Sequence, residues 1–83
     1  MKKDLLVSFM LYDISQYNKI CDVLNKIVIK YNFKNLEMSV KHDIDGDKYL
    51  HARLHDVLDN DIKEIENYIS EKLPGFNKVY RII

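Results

Sequence analysis

Apolar residues take every second position at the start of the chain. Leu5, Val7, Phe9 and Leu11 form a wholly apolar set, while Leu6, Ser8, Met10 and Tyr12 between them are mixed. A strand alternates faces with a period of two, so residues 5–12 predict a strand whose odd positions face a core. From residue 15 to about residue 32 the period lengthens. Tyr17, Ile20, Cys21, Leu24, Ile27, Val28 and Tyr31 recur at three- and four-residue steps, the stripe of an amphipathic helix. Asp13 or Ser15 suits its N-cap, and Asp13 with Gln16 fits a capping box in which Asp replaces Ser or Thr.

Strict alternation returns over residues 35–43 and 48–57. Leu36, Met38 and Val40 alternate with Glu37, Ser39 and Lys41, and Leu50, Ala52 and Leu54 with Tyr49, His51, Arg53 and His55. Asp45-Gly46-Asp47 between them predicts a three-residue hairpin loop with Gly near the left-handed conformation. That loop sets Val40 against Ala52 and Met38 against Leu54 on the core face. On the other face it sets Lys41 against His51, Ser39 against Arg53 and Glu37 against His55. Ile62, Ile65, Ile69 and Leu73 mark a second helix over 61–73, capped from Asp59–Asp61 and stopped by Pro74-Gly75. Residues 77–83 predict a last strand. The order β-α-β-β-α-β over 1–83 is that of a single ferredoxin-like α+β sandwich, a four-stranded antiparallel sheet with two helices on one face. Strands one and three are then central, and the right-handed crossover rule sends both helices to the same side.

Composition narrows the class. With 83 residues, 47% hydrophobic and 31% charged, the chain is neither disordered nor a two-domain enzyme. A domain this small has a thin core that self-association would support, so a homodimer is expected. One cysteine rules out a disulfide framework, and Cys21, placed in the helical stripe, is expected to be a packing residue. No apolar run is long enough to span a membrane, and the apolar run after Met1-Lys2-Lys3-Asp4 is short for a secretion signal. A cytoplasmic protein without a membrane partner is the expectation. The 13 basic and 13 acidic residues balance, but residues 1–41 carry a net +3, residues 42–66 a net −5 and residues 67–83 a net +2. Any nucleic-acid contact must therefore be local.

The face without helices is where chemistry can sit. Aromatics beside Arg and His suit stacking and phosphate contact with single-stranded nucleic acid, which makes Tyr12, Ser39, Lys41 and Tyr49 candidates for binding RNA or a protein partner. Residues 48–55 lack the glycine and aromatic spacing of an RNA-recognition module. His51 and His55, about 13 Å apart along one strand, can flank a scissile phosphate as base and acid, with Arg53 neutralising the developing charge and Glu37 orienting His55. The same residues equally suit a polar face of cross-strand ion pairs, or a surface covered by a second subunit. The run from Asp43 to Lys48 starts like a calcium loop, but Lys48 stands where Gly is needed and Leu54 where Glu is needed. Lys19, Lys26 and Lys30 follow one helical face, with Lys34 just beyond, a solvated stripe or a phosphate-binding one. Asp13, at the end of a central strand, is either the helix cap or a metal ligand that a symmetric dimer can share.

The stretch from Val7 to Ser15, with its apolar strand ending in Tyr12-Asp13-Ile14-Ser15, resembles the opening of the small nuclease of CRISPR adaptation. In that family the Asp binds the metal. Tyr31-Asn32-Phe33 and Met38-Ser39-Val40 are similar to its second strand, where Phe-Glu follows Ser-Val; here Lys41-His42 follows. The longer acidic hairpin is more similar to the GhoS antitoxin, a ferredoxin-fold endoribonuclease that cleaves its toxin's messenger, and VapD shares the fold. The resemblance implies a dimer and RNA cleavage with Asp13 holding Mg²⁺. Two function classes stand open. One is a metal-dependent endoribonuclease or RNA-binding antitoxin. The other is a non-catalytic interaction module, such as a phage or mobile-element inhibitor docking through its sheet face or its acidic 43–66 stretch.

Overall fold

In the computed structural model, residues 2–32, 36–42 and 44–83 are described. They form β1 (Lys2–Leu11), α1 (Ile14–Tyr31), β2 (Leu36–His42), β3 (Lys48–Leu58), α2 (Asp59–Lys72) and β4 (Lys78–Ile82). The strands make one antiparallel sheet in the order β2-β3-β1-β4, with β1 and β3 central. This is the ferredoxin-like α+β arrangement. Asn35 and Asp43, expected at the ends of the second strand, Phe33 of the family-like motif and Lys34 of the lysine stripe lie outside the described residues.

The core lies between the sheet and the helices. Leu5, Val7 and Phe9 of β1 and Leu50, Ala52 and Leu54 of β3 are buried, as their alternation predicts. Ile20, Val23, Leu24 and Ile27 of α1 and Ile62, Ile65 and Ile69 of α2 cover them, with Leu73 just beyond. Cys21 stands at the margin of the α1 stripe, half-buried. Met38 and Val40 are each 44% exposed, although they are on the core-facing side of β2. β2 is an edge strand, and the helix layer closes over the two central strands instead.

The β2–β3 register differs from the expected one by two residues. Met38 pairs with Ala52 and Val40 with Leu50, and on the open face Lys41 meets Tyr49, Ser39 meets His51 and Glu37 meets Arg53. A slip of two keeps every side chain on its own face, so alternation does not oppose it; the turn decides. His42 pairs with Lys48, so the connection runs over residues 43–47 rather than three residues, with Gly46 at φ 87°.

β3 contains a bulge. Lys3 pairs with Val57 but Leu5 with Leu54, so Asp4 faces both His55 and Asp56. Asp56 takes the left-handed conformation, φ 58°, which Asp tolerates better than most residues. The extra residue turns Val57 onto the core side, where it is fully buried. Asp59 and Asp61 do not cap α2. The N-cap position is Leu58, without a side-chain bond, and both acids lie in the first turn, where the positive helix end attracts them.

Burial pushes the Tyr31 hydroxyl up to about 12, with Glu64 beside it adding to the effect. Its neutral form therefore supports the fold below pH 10, and that support is lost as pH rises from there toward 12. A tyrosinate absorbance titration should show a late-titrating residue that Tyr31→Phe removes.

Candidate functional site

The sheet face without helices carries two separate polar clusters. The first is built on Asp4, which the bulge places opposite His55 and Asp56. Its Oδ2 accepts from Arg53 Nε at 2.9 Å, lies 2.7 Å from Arg53 Nη2 and is 3.0 Å from His55 Nδ1. Its Oδ1 accepts from the Asp56 backbone N–H at 3.1 Å. That backbone N–H first, then the Arg53 guanidinium, hold the Asp4 carboxyl below the usual carboxylate range, with the His55 charge adding to them. On the other side of the ring, Glu37 Oε1 is 3.3 Å from His55 Nε2, an ion-pair distance without hydrogen-bond alignment. Glu37 reaches His55 on the diagonal, since its direct neighbour is Arg53.

The second cluster lies further along the same face. Ser8 Oγ and His51 Nδ1 are 2.7 Å apart. The Tyr49 and His51 rings stack, with centroids 6.3 Å apart and planes 20° apart. One shallow hollow of about 400 Å³ is lined by Ser8, Lys41, His42, Tyr49 and His51. Another, of about 380 Å³, lies toward β4 between Tyr49, Met10 and Val79. Ser8 and Tyr49 line both.

His51 and His55 thus belong to different clusters, and Arg53 is neutralised by Asp4 rather than left for a phosphate. Acid, base and charge-neutralising group do not converge on one point. Ser39 lies beside His51, and Lys41 beside Tyr49. Tyr12 follows the end of β1; its hydroxyl accepts from Asn77 Nδ2 at 2.6 Å. Sequence reasoning missed Asp4, which is in phase with Leu6 and Ser8 but precedes the apolar run.

Asp13 caps α1 through a complete capping box. Oδ1 accepts from Ser15 N at 2.8 Å and Gln16 N at 3.2 Å and from the Ser15 hydroxyl, while Gln16 Oε1 accepts from the Asp13 N–H at 3.2 Å. The Ser15 hydroxyl first, then the Gln16 N–H, hold its carboxyl below the usual range. Asp13 also lines a groove of about 410 Å³ with Leu11, Tyr12, Tyr17 and Val40. Among the described residues no three His, Cys, Asp or Glu side chains gather to hold a metal. Mg²⁺ keeps several waters and is commonly held through one or two carboxylates; Asp13 spends its Oδ1 on the cap, and Asp47 lines the same groove.

Asp13→Ala should lower the urea midpoint while Asp13→Asn leaves it nearly unchanged, because Asn caps as well as Asp. Asp4 and Asp13 also set an acid limb. Their support is complete above the ordinary value of 3.8 and is lost as pH falls from there through the lower folded values. Asp4→Asn should flatten the fall in stability below pH 4, measured by urea unfolding at a series of pH values.

The chain is a ferredoxin-like α+β sandwich, and its likeness to solved structures agrees. The de novo designed protein Foldit4 superposes with a TM-score of 0.73 at 11% identity, over 100% of this chain and 97% of that one. The de novo designed Ferredog-Diesel gives 0.61 at 7% identity, over 100% and 84%. A PelD structure from Pseudomonas aeruginosa PA14, in complex with c-di-GMP, gives 0.61 at 10% identity, over 99% of this chain and 32% of that one. At these identities the likeness is one of fold alone. No protein-family model and no curated protein matches the chain. Among the described residues no helix is long and apolar enough to cross a membrane.

Proposed function

We propose that the chain binds single-stranded RNA on its open sheet face, with bases stacking on Tyr49 and His51 and phosphates meeting Lys41. The observation that carries this reading is the stacked Tyr49–His51 pair on a central strand, between two shallow hollows. Base–aromatic stacking is sequence-tolerant and needs such an open π surface. Asp59, Asp61, Glu64 and Glu66 belong to α2 on the covered side, and the open face carries Lys41 and Arg81 beside Glu37 and the Asp4–Arg53 pair. Cleavage is not part of the proposal, since the catalytic candidates are divided and Arg53 is engaged by Asp4.

The test is fluorescence anisotropy with a short labelled single-stranded RNA at several salt concentrations. Tyr49→Ala should weaken binding by about 5–150-fold, the loss of one stacked base. Lys41→Ala should reduce the salt slope by about 0.7, one phosphate contact on a single strand. Absent binding at low salt, or binding indifferent to Tyr49→Ala, would sink the proposal. A second reading, docking onto another protein, is favoured by Val79, 61% exposed beside Met10 on the same face.

A further inference from the structure

The outer edge of β2 is self-complementary. Two copies of an antiparallel edge strand pair about a two-fold axis normal to the sheet, and each residue then faces its mirror position across the axis. With the axis at Ser39, Ser39 meets Ser39 of the second copy. Glu37 then faces Lys41 and Lys41 faces Glu37, both pairs on the open face. Met38 faces Val40, and Val40 faces Met38, on the helix side. We propose that the chain forms a two-fold homodimer through β2–β2 pairing at this register.

Several independent observations converge on that edge. β2 ends the sheet, and none of the described strands lies on its outer side. Its pairing with β3 is regular over Leu36–His42, with no bulge or proline to block a further strand. Met38 and Val40 are each left 44% exposed by the helices of their own chain. Glu37 is 73% exposed, and its pairing to His55 uses Oε1. Among the described residues Lys41 has no acidic partner of its own. A second copy supplies what each of these groups lacks. Other registers do not: moving the axis to Glu37 or Lys41 opposes like charges, and moving it to Met38 or Val40 leaves both charges without a partner. The opposite edge does not compete. β4 carries Lys78 and Arg81 and no acid, so it has no charge complement to offer a second copy.

The dimer joins two four-stranded sheets into one, with all helices on one side and both open faces on the other. Either copy keeps Tyr49 and His51 accessible. Lys41 alone is shared, meeting Glu37 of the second copy or an RNA phosphate. Tyr49→Ala, which touches RNA binding and not the strand pairing, therefore separates this inference from that reading.

Sedimentation over a concentration series tests the pairing. The wild type should dimerise. Lys41→Glu, which opposes two pairs of acids, should weaken the dimer by about tenfold or more, and Glu37→Lys combined with Lys41→Glu should restore it. Circular dichroism on the same variants checks that each is folded. In a Cys21→Ser background, Ser39→Cys should oxidise to a covalent dimer, because opposed Cα atoms about 4.5–5.5 Å apart suit a disulfide. Lys41→Cys, opposite Glu37, should not. A wild type that stays monomeric throughout, a dimer indifferent to Lys41→Glu, or equal crosslinking at positions 39 and 41 would each overturn the proposal.

Discussion

Phe9→Ala should remove a large part of the chain's stability. Phe9 is fully buried on the central strand, paired to Leu50 on one side and Lys78 on the other. Truncating a buried Phe costs about 3–5 kcal/mol, the lost transfer energy plus the cavity that remains. The total stability of a chain this size is roughly 4–12 kcal/mol, so a quarter of the margin or more is removed at one position. Urea unfolding followed by circular dichroism measures it. Phe9→Leu, which keeps the site largely filled, should cost about 1 kcal/mol. A cost of that small size for Phe9→Ala itself would mean that the core is not centred on this strand.

Inserting one alanine between Asp56 and Val57 should be comparably damaging, though no core side chain is removed. The bulge is what turns Val57 inward; with one residue added after it, Val57 moves to the open face and Leu58 turns toward the core. Exposing a buried Val costs about 1.5–3 kcal/mol. α2 starts at Asp59, so its buried stripe is also rotated against the sheet. A change of backbone character at the bulge itself should help. Asp56→Gly keeps the bulge and the N–H that Asp4 accepts, and relieves the φ of 58°, so it should stabilise by up to about 1 kcal/mol. If the insertion is tolerated, or the glycine destabilises, the bulge is not an organising feature.

Element order and faces were legible because both rest on period. Leu5, Val7 and Phe9, or Ile62, Ile65 and Ile69, repeat at spacings that admit one reading. Asp13 with Gln16 was legible as a cap for the same local reason. The register of β2 was not, since sliding by two preserves every face and the five-residue connection carries no periodic signal. Nor was the exposure of Met38 and Val40, because alternation tells which side a residue faces and not how far a helix layer extends over it. The bulge did leave a trace: after Leu50, Ala52 and Leu54 the next apolar core residue is Val57, one step out of phase. Following that trace would have brought Asp4 opposite His55. The polar pairs of the candidate site arise between β1 and β3, distant in sequence, so no spacing along the chain announces them.

The central position of β1 has a consequence during synthesis. Leu5 pairs with Leu54 on one side and Ile82 on the other, so the strand made first is the last to have both edges satisfied. Until then the nascent chain presents residues 5–11, an uncharged and mostly apolar run without proline, the kind of segment that nucleates aggregation. Lys2, Lys3 and Asp4 before it and Asp13 after it are then gatekeepers. The β2–β3 hairpin closes locally, but β1 waits on contacts of long range, which slows folding and lengthens the period of risk. High-level expression should therefore depend on the charges flanking β1 more strongly than the stability of the finished fold does.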